Sequence, residues 1–195
     1  MFAPDTFYHI FNRGNNRQKI FFNDANYQFF IQKLRNYISP QCSILAYCLM
    51  PNHFHVLLYT RDNELQMIPS GRMQVLERKI GTLQSSYTRA INKQEVKTGS
   101  LFQSAAKTLE LDSNHAFACF HYIHQKPVKA KLVQSMDEWS YSSYRDYLYP
   151  DRKSLCDRSK SYEFLEVPGN PERFVKQSLD VIIDEKTLKQ LGMVV

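Results

Sequence analysis

No apolar run in this chain approaches the ~20 residues that a membrane-spanning helix needs. The opening Met1-Phe2-Ala3-Pro4-Asp5 carries neither the basic nor the apolar stretch of a secretory leader. The expectation is a protein that is neither exported nor embedded in a membrane. The four cysteines, Cys42, Cys48, Cys119 and Cys156, lack C-x-x-C spacing and the density of a disulfide scaffold, which points to reduced thiols in a cytoplasmic protein. Internal repeats and low-complexity tracts are missing as well. So are acids over one long stretch: there is none from Ser113 to Met136, and from Leu65 to Leu109 two acids stand against seven basic residues. The acids collect near the C-terminus instead.

What is present suits one domain with a sizeable core. The chain has 195 residues, of which 43% are hydrophobic and 13% aromatic, with 12 Tyr and 13 Phe, so a disordered polar chain is excluded. The formal net charge of +6 and the pI near 9.1 favour a polyanionic partner.

Residues 6–13 form a β-rich run ended by the turn-forming Asn12-Arg13-Gly14-Asn15-Asn16. A helix is expected from Asp24 to Ile38, with Tyr27, Phe30, Ile31, Leu34 and Ile38 on one face and Ser39-Pro40 ending it. Ser43 to Met50 is apolar on both faces, as in a central strand, and Pro51-Asn52 turns it into a second strand over 53–60. After the breaker Ile68-Pro69-Ser70-Gly71, the apolar residues Met73, Leu76, Ile80, Leu83, Tyr87 and Ile91 recur at helical spacing. A strand is expected from Gly99 through Leu111. A third helix, capped by Asp112-Ser113, is expected to reach His124 or Gln125 before Pro127 stops it. The order β-α-β-β-α-β-α describes an α+β, ferredoxin-like antiparallel sheet with helices on one face. Residues 1–149 are read as the main domain and 150–195 as a C-terminal appendage.

Alternation along a strand points His53 and His55 to the same side while Phe54, Val56 and Leu58 point into a core. Two residues of strand separate the pair by ~7 Å at the backbone, close enough for both rings to converge on one cation. The same spacing equally suits two half-exposed strand residues. On the third helix Ala118, Tyr122 and Gln125 or Lys126 share a face, whereas Phe117, Phe120 and His124 share another. In a chain with 12 tyrosines, Tyr122 by itself signals nothing.

The joint pattern signals more. Leu49-Met50-Pro51-Asn52-His53-Phe54-His55-Val56-Leu57-Leu58, then Gly99-Ser100-Leu101-Phe102-Gln103, then Tyr122-Ile123-His124-Gln125-Lys126-Pro127-Val128-Lys129-Ala130 resemble blocks of the single-tyrosine transposases with a His-hydrophobic-His motif. That group includes insertion-sequence transposases and REP-associated tyrosine transposases. Tyr8-His9-Ile10-Phe11-Asn12-Arg13-Gly14 and Trp139-Ser140-Tyr141-Ser142-Ser143-Tyr144 fit too, so the resemblance spans about residues 7 to 147. It implies that His53 and His55 hold a divalent cation, Mg²⁺ or Mn²⁺. It also implies that Tyr122 attacks a phosphodiester of single-stranded or hairpin DNA, leaving a 5′-phosphotyrosine and a free 3′-hydroxyl. A homodimer is a further expectation, with Tyr122 serving either its own subunit or its partner's. The basic residues Arg13, Lys107, Lys126, Lys129 and Lys131 are expected along the DNA path.

Two positions depart from the family's pattern. Where the resemblance implies a Gln or Asn ligand four residues after the tyrosine, this chain has Lys126, whose ammonium repels a cation. Gln125, beside Pro127, is expected to swing in if the helix unwinds there. The usual Gly-Arg-Phe-Lys-like run appears as Ser104-Ala105-Ala106-Lys107, without its arginine. Three functions therefore compete: a DNA-strand transferase acting through Tyr122, a catalytically silent DNA-binding relative, and an unrelated metal-dependent hydrolase with a water nucleophile.

Overall fold

The computed structural model describes residues 2–61 and 73–190, so the expected breaker at 68–71 lies outside the described residues. Four strands, β1 (Thr6–Arg13), β2 (Ser43–Met50), β3 (His53–Thr60) and β4 (Lys107–Leu111), form one sheet in the order β2-β3-β1-β4. Every pairing is antiparallel, and the order is that of a ferredoxin-like α+β fold.

Helix α1 (Asp24–Lys33) starts where the Asn23 side chain accepts from Asn26 N, and a π turn over Leu34–Ile38 extends it as far as expected. Helix α2 (Met73–Gln94) buries Leu76, Leu83, Tyr87 and Ile91. The two crossover helices share one face of the sheet, where Leu34, Ile38, Ile80 and Leu83 meet Ile10, Phe54, Val56 and Leu58 around a small cavity. The expectation of helices on one face holds for this pair. Helix α3 (Ser113–Lys129), capped by Asp112 accepting from His115 N, packs against all four strands from the histidine side, opposite the crossover helices.

Three expectations change. Helix α3 does not stop before Pro127. A proline removes only its own N–H, and here the turn closes around it through Ala130 N to Lys126 O (2.9 Å) and Leu132 N to Pro127 O (3.0 Å), with Pro127 itself buried. Strand β4 is short, because Leu101 and Phe102 are used earlier, in a lone bridge between Phe102 and Gly14. Gly14 is required there: a Cβ on it would lie 2.1 Å from Gln18 O. Strand β2 is not central in the sheet but terminal, although every residue is buried. Its outer edge is paired by later chain: Asp157 N donates to Ile44 O, Ser143 N to Tyr47 O, and Leu49 N to Tyr141 O. A covered edge produces the same two-sided apolar pattern as a central position.

The chain after α3 contributes α4 (Tyr144–Leu148), α5 (Arg158–Phe164), α6 (Pro171–Asp180) and α7 (Glu185–Gln190). Phe174 on α6 is fully buried against Phe120, His124, Tyr144 and Tyr147, so residues beyond 150 share the main core. No helix among the described residues is long and apolar enough to cross a membrane.

Candidate active site

The antiparallel register decides what faces α3. On β3, His53 and His55 lie opposite Met50 and Cys48 of β2 and opposite Arg13 and Phe11 of β1. Two residues before Phe11, on the same face, stands His9. Its Nε2 is 2.9 Å from His55 Nδ1, and the two rings stack with centres 5.1 Å apart. His53 Nδ1 is 2.7 Å from Asn52 Oδ1. The His53 and His55 rings stand nearly perpendicular, centres 5.1 Å apart. Nε2 of each is buried with no hydrogen-bond partner among the described residues.

Burial, then the Lys126 and Arg13 charges, push His53 down to about 3. Burial, Lys126, His9 and His53 hold His55 well below its ordinary value. Both rings are therefore neutral at pH 7, the form that ligates a cation. Asn52 Oδ1 accepts, so the His53 proton sits on Nδ1 and its lone pair on Nε2. His55 has the same tautomer when it donates to His9, and this partner fixes its ring.

From the opposite side α3 presents Tyr122, 4% exposed, its ring 6.1 Å from that of His55 and almost perpendicular to it. Lys126 Nζ and Lys129 Nζ lie 5.0 and 5.4 Å from the Tyr122 ring centre. Burial, and to a lesser extent Cys119, raise the phenol above its ordinary value. Burial lowers Lys126 to about 8, opposed by Cys48 and assisted by Lys129.

The fold thus brings together His53, His55, Tyr122, Lys126 and Lys129 within one chain. Arg13 pairs with His53 across the sheet, and its Nε donates to Gln103 Oε1. Lys107 pairs with Phe11, its Nζ 6.0 Å from that ring, on the exposed β4 side of the same face. Lys131 lies past the end of α3, exposed, at φ 57°, and the described contacts do not bring it to this site. Gln125 does not swing in. The helix stays wound and turns that side chain toward α6, where Nε2 donates to Ser178 O (2.9 Å) and Val181 O (2.8 Å). His9 was not among the expected site residues. Its only sequence signal is its position two residues before Phe11 on a strand, and only the β1–β3 register makes it His55's partner.

The profile of the IS200-like transposases matches residues 3–126, which is most of the chain. The chain belongs to that family. No curated protein matches it. Among solved structures, a REP-associated tyrosine transposase bound to a REP hairpin is similar, with a TM-score of 0.52 and 15% identity over 80% of this chain and 86% of that one. At that identity the likeness speaks to the fold.

For a divalent cation, the donor atoms of this transposase fit in part. Two buried, neutral imidazoles present unpartnered Nε2 atoms whose opposite nitrogens are held by Asn52 and His9. Among the described residues, however, no group of three His, Cys, Asp or Glu side chains is placed to hold a metal. At the position one turn past Tyr122 stands an ammonium.

Proposed function

We propose that this transposase cuts and rejoins single-stranded DNA through a covalent bond to Tyr122. The observation that carries the reading is the placement of Tyr122 against His55, 6.1 Å ring to ring, beneath two lysines and inside one chain. The Oη–P bond forms as the P–O3′ bond breaks; the phenol's proton passes to solvent and the leaving O3′ takes one up. The products are a 5′-phosphotyrosine and a free 3′-hydroxyl, and attack by another 3′-hydroxyl reverses the step. A phenol raised by burial is a poor nucleophile, so positive charge beside the phosphate is needed. Lys126 and Lys129 provide it from α3, while Arg13 and Lys107 line the approach from β1 and β4. His53 and His55 are the residues that would hold Mg²⁺ or Mn²⁺, weakly, with substrate oxygens completing the shell. A cation bound there would neutralise charge on the phosphate oxygens. The closeness of Tyr122 to His55 in one chain supports attack within one subunit, and the hairpin carried by the similar solved structure supports hairpin DNA as substrate.

The test is a labelled single-stranded hairpin incubated with the protein and resolved on a denaturing gel. Wild type should form a protein–DNA adduct, and Tyr122→Phe should lose it while binding DNA nearly as well, because one hydroxyl is removed. An adduct from Tyr122→Phe would rule out this nucleophile. One observation favours a second reading, a catalytically silent DNA-binding protein: the ammonium of Lys126 beside the histidines. That reading predicts binding without adduct from the wild type.

A further inference from the structure

The space between α3 and the sheet holds a mismatch. On the sheet side, His53 and His55 each offer a buried Nε2 without a partner among the described residues. On the helix side, Lys126 follows Tyr122 by four residues and so shares its face. Its Nζ lies 5.0 Å from the centre of the Tyr122 ring, which itself stands 6.1 Å from the His55 ring, so the ammonium belongs to the same space; its charge bears on His53, His55 and Cys48. A metal set would need a third donor here, and the residue at hand is a cation. A divalent ion and an ammonium a few ångströms apart in a partly desolvated site repel strongly. An ammonium, by contrast, carries three N–H donors and no acceptor, and two neutral Nε2 lone pairs are acceptors without a donor.

We propose that, as the scissile phosphate binds, Lys126 takes the cation's place, shifting to donate to the so far unpartnered His53 Nε2 and His55 Nε2 and turning its third N–H to a non-bridging oxygen of that phosphate. The histidines then position an ammonium, and Tyr122 reacts without divalent metal. The inference rests on the reading of Tyr122 as nucleophile. The bonds made and broken are unchanged, Oη–P for P–O3′, and the phenol's proton still leaves to solvent. Lys126 and a divalent ion exclude one another, so removing the ammonium should open the histidines to metal.

The experiment compares wild type, Lys126→Asn and Lys126→Arg on the labelled hairpin, in EDTA and in Mn²⁺, with thermal melting to confirm folding. Mn²⁺ binding without DNA is followed in parallel by electron paramagnetic resonance. Wild type should give similar adduct in EDTA and in Mn²⁺. Lys126→Asn should lose about 100-fold of the adduct in EDTA, recover it in Mn²⁺, and bind Mn²⁺ roughly tenfold more tightly than wild type. Lys126→Arg, which keeps the charge, should retain adduct in EDTA. Wild-type adduct that requires Mn²⁺, or equal Mn²⁺ affinity in wild type and Lys126→Asn, would overturn the inference and leave Tyr122 as nucleophile. No adduct from any of the proteins in either condition would overturn both.

Discussion

Lys126 Nζ lies 5.0 Å from the centre of the Tyr122 ring, one helical turn farther along α3, and Lys129 Nζ lies 5.4 Å from the same centre. Helical spacing alone sets both lysines over one phenol, because residues three, four and seven apart share a face. The sheet side supplies neutral imidazoles and the helix side supplies charge.

On the proposed function, Lys129 is expected to contact a phosphate at the rim, since it is exposed where Lys126 is partly buried. Lys129→Ala should weaken single-stranded DNA binding and reduce the slope of log affinity against log salt by ~0.7. Lys107→Ala, from the β4 side of the same face, should do likewise. Lys131→Ala should leave the slope unchanged, because no described contact ties the exposed Lys131 to the site. Titration of DNA at several salt concentrations checks all three, and an unchanged slope for Lys129→Ala would move the DNA path elsewhere.

The role expected of His9 is to position His55. Its Nε2 bonds His55 Nδ1 at 2.9 Å, so His9→Leu releases the ring and its tautomer. Mn²⁺ affinity of a protein that also carries Lys126→Asn should fall by ~10–100-fold when His9→Leu is added. Nitrogen chemical shifts of His55 should change with it, which a loss of core packing alone would not produce in a protein whose melting temperature is kept.

Much of this architecture was legible in the chain. The helical period of α2 and the Asp112 cap are local signals, and the His-x-His strand follows from alternation. What was not legible depended on partners distant in sequence. Strand β2 reads as central because the tail at Tyr141, Ser143 and Asp157 covers its edge. Pro127 reads as a stop because nothing local reveals that burial holds the helix together across it. His9 became a site residue only through the pairing of Phe11 with His55. Gln125 was drawn away by carbonyls at Ser178 and Val181, in a segment whose docking no local pattern announced.

That docking has its own test. Phe174 is fully buried among Phe120, His124, Tyr144 and Tyr147, four residues of α3 and α4. Phe174→Ala removes a ring from a closed aromatic cluster and should cost ~3–5 kcal/mol. If instead α6 unfolds by itself, the urea midpoint of the rest should stay put while the segment becomes protease-sensitive. A single shifted transition seen by both probes would show that the tail and the sheet unfold together.

Acid should unfold the protein through the other buried histidines of α3. His121 is fully buried against Phe117 and Phe120, with Gln177 of α6 facing it, and His124 is fully buried against aromatic rings with its Nε2 on Ser143 Oγ at 2.8 Å. Burial lowers His121 to about 4, opposed by Gln177, and burial followed by His121 holds His124 well below its ordinary value. Both favour the neutral ring in the folded state, so the unfolded chain binds more protons below its ordinary value of 6.5. The stability is fully present above that value and is lost progressively as pH falls toward about 4. At pH 5, about 1.5 units below the ordinary value, His121 alone should account for ~2 kcal/mol of lost stability. His121→Leu removes the titrating group and keeps an apolar side chain among the two phenylalanines. Urea unfolding at pH 7 and pH 5 should therefore show a smaller pH dependence for His121→Leu than for wild type, by about that amount. Equal losses in the two proteins would mean that His121 takes up protons alike in the folded and unfolded states, and the acid sensitivity would then have to come from other groups.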